Sequence, residues 1–262
     1  MLRMENVTYV YEDKTIALKD VNIDLTKGKK IGIVGSNGSG KSTMFMIFLG
    51  LLKPTKGRVI FNDKELKYDK NTLTELRKNT GIVFQDPDKQ IFFSSVFDDV
   101  AFALRNLKFC ENEVKERVNA AMDKTNVSEL QNKPVHFLSY GQKKNVSIAG
   151  VVAMNHKLMF FDEPTAGLDY ISKKNVKNIL EGIVATEEKS IVVSSHDMNF
   201  IYEVCDYIYV LNKGYVLSEG KKEAIFLDKE VLDKAELEEP FLVKVHKHLG
   251  KALYKNEKEL FM

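Results

Sequence analysis

The chain lacks any run of the ~18 consecutive apolar residues that a membrane-spanning helix needs. Its longest apolar stretches, such as residues 31–34 and 158–161, are strand-length. Any work at a membrane therefore requires docking on a partner that crosses it. An excess of one charge is lacking too. Thirty-nine Lys and Arg face 37 Asp and Glu, a formal net charge of +2. That balance gives no argument for nucleic acid or an anionic membrane surface as partner. Only two cysteines occur, Cys110 and Cys205, and they show no metal-ligand spacing. With no signal peptide in view, they are expected as reduced thiols in the cytoplasm. No internal repeat, low-complexity tract or long linker interrupts the sequence. With 44% hydrophobic and 29% charged residues, a soluble globular chain with a sizeable core is expected.

The first sixty residues alternate roughly with period two, a pattern of antiparallel sheet. Within them "KKIGIVG" reads as a buried strand leading into a Gly-rich loop and an apolar helix over 42–51. A Pro/Gly turn at 54–57 precedes "GRVIFNDKEL", and "TGIVFQ" is a further short strand. From about residue 87 to 148 the pattern turns helical, with Val114, Val118, Ala121 and Met122 at helical spacing. Strands return at "KLMFFDE", "SIVVSSHD" and "YIYVLN", the last pairing with "YVLSEG" across Asn212, Lys213 and Gly214. Strands and helices alternating on both sides of a helical insert predict a parallel α/β core with a helical subdomain. Beyond about residue 222 the chain is charged and helical. Pro240 fits the first turn of a helix ending near Leu249, with Gly250 beyond. Phe241, Leu242, Val245 and Leu249 share one face of it. That face either packs on the chain's own core or forms a subunit interface.

"GSNGSGKST" comprises Gly35, Ser36, Asn37, Gly38, Ser39, Gly40, Lys41, Ser42 and Thr43. It fits the phosphate-loop pattern G-x-x-x-x-G-K-[ST], between a predicted strand and a predicted helix. Such glycines let successive N–H groups face phosphate oxygens. Lys41 can neutralise the β- and γ-phosphates of a nucleotide, and the Ser42 hydroxyl can ligate Mg2+. "LMFFDE" ends a buried strand on Asp162 and Glu163. Strand alternation turns the two carboxylates to opposite faces. Asp162 is expected to hold Mg2+ through its shell, and Glu163 to orient and deprotonate an attacking water. His196 follows another strand of the inferred sheet, where it can contact the γ-phosphate and hold water and base in place. Gln85, at the end of "TGIVFQ", offers an amide to Mg2+ or water.

Together these motifs resemble the nucleotide-binding subunits of ATP-binding-cassette (ABC) transporters over about residues 1–220. Residues 35–43 match the family's phosphate loop, Gln85 its glutamine loop and "LSYGQ", residues 138–142, its signature motif. Asp162 and Glu163 match its second nucleotide motif, "TAGLD" its aspartate loop and His196 its switch histidine. The resemblance implies a P-loop ATPase core with a parallel sheet, an N-terminal antiparallel β-subdomain and a helical signature subdomain at about 87–150. It also implies that two cassettes pack head to tail, each ATP lying between one chain's phosphate loop and the other's signature motif. Ser139, Gly141 and Gln142 then serve the nucleotide held by a partner's Lys41, so the protein works at least as a pair of identical or related ATPases. Two positions depart from the family. Tyr140 stands where Gly is usual, and a side chain there crowds a tight approach unless it points outward. Asn145 replaces a common Arg. Tyr11 lies where an aromatic residue often stacks on adenine, with Tyr9, two residues earlier, as its rival.

"FQDPDKQIFFSSVFDDVAF", residues 84–102, and "GQKKNVSIAG" resemble the energy-coupling-factor importers, including the cobalt-import (CbiO-type) ATPases. That group implies uptake of cobalt, nickel or a vitamin, with Mg2+ and ATP as cofactors and a position on the cytoplasmic face of the membrane. Its partners are a transmembrane coupling protein and a small substrate-capturing membrane protein. The extension over 221–262 fits the helical region through which these ATPases hold each other. Asp86, Asp88, Asp98 and Asp99 are as consistent with a solvated, helix-capping surface and need bind no metal. The alternative is a non-import cassette of cell division or export. A chromosome-type cassette needs a long coiled coil, and the stretch between Lys41 and Asp162 has room only for a helical subdomain.

Overall fold

The structure is a computed structural model that describes residues 1–185 and 188–260. The chain forms two compact units, Met1–Arg77 with Val192 onward, and Lys78–Ile191. The first unit opens with β1 (Leu2–Val10) and β2 (Ile16–Asp24), paired antiparallel. Leu2 and Met4 point into the core, and so does Val7, out of step with strict alternation. The register shifts between Met4 and Val7, where Asn6 takes a left-handed φ of 51°. This bulge keeps the polar residue outside and returns Val7 to the core. After β3 (Lys30–Val34) comes α1 (Lys41–Phe48). It is shorter than the 42–51 expected, because Gly50 turns left-handed (φ 66°) and Leu51 N–H closes back on Met46 O at 2.9 Å. β4 (Lys56–Phe61) and β5 (Lys64–Glu65) complete an antiparallel sheet of order β2-β1-β4-β5. α2 (Lys70–Asn79) has no counterpart in the sequence reading. The Asp69 carboxylate starts it by accepting from Asn71 and Thr72 N–H.

In the second unit β6 (Thr80–Val83) runs parallel to β7 (Leu158–Asp162), with Thr80 opposite Leu158 and Val83 opposite Phe161. Between them lie α3 (Val96–Asn106), α4 (Glu111–Lys124) and α5 (Tyr140–Ala153). Val114, Val118, Ala121 and Met122 form the buried stripe of α4, as their spacing predicts. Burying each of the two Val and the Met side chains contributes about 1.5–3 kcal/mol relative to exposure, and the single methyl of Ala121 less. α6 (Tyr170–Val184) is capped by Asp169, which accepts from Ser172 N–H at 2.7 Å.

β8 (Ser190–Ser194) returns the chain to the first unit, where α7 (Met198–Val204) follows. β9 (Tyr207–Asn212) pairs parallel with β3 and, through a two-residue turn, antiparallel with β10 (Tyr215–Lys221). Lys213 (φ 47°) and Gly214 (φ 84°) make that turn. α8 (Lys222–Leu227), α9 (Lys229–Ala235), α10 (Phe241–Leu249) and α11 (Glu257–Leu260) end the chain. Pro240 sits one position earlier than expected, as the cap of α10. The proposed apolar face of α10 divides. Leu242 and Val245 are buried, whereas Phe241 is 45% and Leu249 67% exposed. Among the described residues no helix is long and apolar enough to cross a membrane.

Candidate active site

In the first unit, residues 35–43 connect β3 to α1 as a tight loop. The Lys41 side chain is buried, and its ammonium donates to Gly35 O at 2.8 Å and Ser36 O at 3.0 Å. Gly40 is left-handed at φ 104°, and a Cβ there would stand 2.6 Å from Ala17 O. A Cβ at Gly35 would stand 2.3 Å from Leu211 O. No side chain fits at either position, and the backbone curls as a phosphate cradle requires. Ser39 Oγ is buried in the same loop without a hydrogen-bond partner among the described residues. Tyr11 Oη shares a hydrogen bond with Thr43 Oγ1 at 2.8 Å, and the Tyr9 ring packs edge-on to Tyr11 at 5.0 Å. Both aromatic candidates therefore stand together, with Tyr11 tied to the cradle. Ser42, next to Lys41, is exposed. His196 is exposed in the short segment between β8 and α7. Asp197 caps α7 by accepting from Phe200 N–H at 3.1 Å.

In the second unit β7 stops at Asp162. Glu163 adopts a left-handed φ of 45°, and both carboxyl residues are buried. Strand alternation therefore does not reach Glu163. The loop, where Ala166 N–H returns to Glu163 O at 3.2 Å, sets its direction instead. A non-glycine residue in this region is strained by about 1–3 kcal/mol, and such strain concentrates at functional sites. Ser139 starts α5 with a capping box. Its Oγ accepts from Gln142 N–H at 3.3 Å, and its N–H donates to Gln142 Oε1 at 3.0 Å. Gln142 thus shapes the start of the helix. The exposed Ser139 hydroxyl is used as an acceptor within this box. A Cβ at Gly141 would stand 2.8 Å from Ser172 Oγ, so α6 packs closely there and a larger residue would make the serine side chain turn aside.

Tyr140 folds back within its own unit. It is 38% exposed, and its Oη donates to Gln85 O at 3.2 Å. Lys144 is fully buried and donates to Phe84 O at 3.1 Å and to Gln85 O. Burial pulls its pKa down to about 8, against the carboxylates of Asp162, Asp86 and Glu163, which favour its charged form. The Gln85 residue itself is exposed. Gln90 braces the same loop, accepting from Phe84 N–H and donating to Ile82 O. Sequence reasoning missed both Lys144 and Gln90.

The acidic residues near this loop have structural partners. Asp86 caps the turn Pro87–Lys89, Asp88 pairs with Lys143 at 2.7 Å, and Asp98 with Arg105 at 2.9 Å. Asp99 accepts from Phe92 and Phe93 N–H. No group of three or more possible metal ligands occurs among the described residues.

The family profile described as ABC transporter matches residues 18–166. A putative ABC transporter ATP-binding protein of Listeria monocytogenes is 50% identical over all of this chain and 97% of its own. An energy-coupling factor transporter ATP-binding protein of Clostridium perfringens is 41% identical, covering 92% of this chain and 84% of its own. The cobalt import ATP-binding protein CbiO of Salmonella paratyphi A is 41% identical, covering 100% and 96%. Among solved structures, CbiO1 of Clostridium perfringens, part of the complex CbiONQ, superposes with a TM-score of 0.81 at 39% identity over 95% of both chains. A dimeric ATP-binding cassette bound to ADP and Pi does so with 0.77 at 30% identity, over 85% of this chain and 99% of that one. The loop that holds Lys41, the capped helix at Ser139 and the likeness along the whole chain have one reading: this is an ATP-binding subunit, and an ATPase, of the ABC transporter family.

Proposed function

We propose that the chain is the ATP-hydrolysing subunit of an energy-coupling-factor importer for a transition metal ion, cobalt or nickel, or a vitamin. The supporting observation is that likeness to CbiO1 spans 95% of both chains, and so includes most of the extension beyond residue 220. The nucleotide-binding domain is residues 1–220, and the extension over 221–262 holds a second ATPase, identical or related. A transmembrane coupling protein and a small substrate-capturing membrane protein complete the assembly at the cytoplasmic face of the membrane.

The cradle fits a nucleotide phosphate, because Lys41 now satisfies its donors on its own loop's carbonyls and can transfer them to phosphate oxygens. Tyr11, held by Thr43, stacks on adenine. Ser42, Gln85 and Asp162, the last through its shell, are the residues that would hold Mg2+. That ion would neutralise phosphate charge. Glu163 accepts the proton of the attacking water, and His196 keeps water and base in place. Ser139 donates its hydroxyl, and Gly141 its N–H, to the phosphate held by a partner's Lys41, aided by the N-terminus of α5.

Affinity capture of the tagged chain from mildly solubilised source membranes tests the reading. Recovery of a multi-span coupling protein and a small substrate-binding membrane protein is expected, and the latter identifies the cargo. Recovery of a soluble complex or of division proteins instead would refute the importer.

A further inference from the structure

One ridge of α5 grips the loop that follows β6. Tyr140 and Lys144 lie four positions apart, as neighbours on a helix surface. Both donate to the same atom, the Gln85 carbonyl oxygen. Lys144 reaches Phe84 O as well, and Lys143 pairs with Asp88 further along the loop. From the loop's own side, Gln90 accepts from Phe84 N–H and donates to Ile82 O. The backbone at 84 and 85 is thus held on both sides, while Gln85 remains an exposed residue.

Lys144 is an expensive choice for this work. It is 0% exposed, and a buried ammonium is tolerated only when its donors are satisfied and opposite charge is near. Two loop carbonyls satisfy it, and Asp162, Asp86 and Glu163 supply the charge. A methionine would fill similar space without that cost, and would leave the carbonyls without their donor. Tyr140 stands one residue from Ser139, in the first turn of the helix whose N-terminus is the anion site. An anion settling on Ser139 therefore acts on the turn from which Tyr140 reaches Gln85.

We propose that Tyr140 and Lys144 are positioning residues that make the Gln85 carbonyl a mechanical link between two nucleotides. The phosphate seated on Ser139 belongs to a partner's nucleotide, whereas Gln85 serves the chain's own. The link rests on the paired-cassette reading above and names how one site reports to the other. Tyr140, where the family usually has Gly, adds a donor that a glycine chain does not have.

The test compares the purified full-length wild type with Lys144→Met and Tyr140→Phe. ATP hydrolysis is followed against ATP concentration, and a fluorescent ATP analogue reports the nucleotide Kd. Lys144→Met is expected to lose about tenfold in kcat and its cooperativity, with Kd changed by less than about twofold. Tyr140→Phe keeps the ring and loses only the hydroxyl, so a roughly threefold loss in the same direction is expected. Intact nucleotide affinity shows that the variants fold. Wild-type kcat and cooperativity in both variants would overturn the link. So would a Lys144→Met chain that loses binding and rate together beside a silent Tyr140→Phe, since Lys144 would then serve folding alone. A wild type that hydrolyses ATP without cooperativity would overturn the link alone, since uncoupled sites can still be shared between two chains. Full activity of a Ser139→Ala or a Lys41→Ala chain alone would overturn the paired-cassette reading, and the link with it. A cooperative wild type with unaltered variants would overturn the link alone.

Discussion

One torsion separates Glu163 from the strand that delivers it. Asp162 ends β7, and at Glu163 the chain turns left-handed while the residue stays buried. The side chain is aimed by a strained loop, so its chemistry can be changed without changing the loop. Glu163→Gln keeps shape and volume and removes the carboxylate proposed as proton acceptor. Nucleotide binding is expected to stay within about twofold, while phosphate release falls by about 10²–10⁴-fold, the usual contribution of a general base. Near-normal hydrolysis in that variant would exclude Glu163 as the base. The residue types at 162 and 163 were legible in the sequence because they follow four apolar residues. The direction of Glu163 was not, because it depends on a backbone conformation that period-two patterning does not encode.

At the scale of elements, β6 and the segment between α5 and β7 meet through His156. Its ring packs so closely on β6 that a Cβ at Gly81 would lie 2.4 Å from Cδ2, and Nδ1 is 3.2 Å from Lys78 O. Burial is the main force holding its pKa below the ordinary value of 6.5. The Lys78 carbonyl opposes that shift, and the Lys189 charge adds to it. The folded state therefore binds fewer protons than the unfolded chain once pH drops below about 6.5. The stability from a neutral His156 is complete above that pH and is lost as pH falls through the lowered folded value. Thermal unfolding between pH 5 and pH 8 should show it. The wild-type midpoint should fall on acidification, and a non-titrating His156→Gln chain should fall less. Equal slopes would reject the assignment. Elements set by local signals were readable in advance, among them the α4 stripe and the Lys213–Gly214 hairpin. α2 went unread because its apolar face is slight, with Leu76 its one buried residue. The grip of Lys144 went unread because it pairs residues some sixty positions apart, which no periodicity connects.

At the scale of the whole molecule, the proposed pairing makes one chain's phosphate cradle and another chain's signature helix two halves of one nucleotide site. A chain with Ser139→Ala keeps its cradle, and a chain with Lys41→Ala keeps its signature. Each alone should hydrolyse ATP at a small fraction of the wild-type rate. Mixed, they should regain activity through at most one composite site per pair. Full activity in either variant alone would refute the shared site. The left-handed turn at Glu163 acquires a further meaning in such a pair. Glycine would relieve a left-handed penalty of about 1–2 kcal/mol at that position, while deleting the carboxylate. The relief would leave turnover unrepaired, because the carboxylate is gone. In the proposed pair, one such chain beside an intact one would leave at most one working composite site, so the loss of one acid in one chain would be felt by its partner as well.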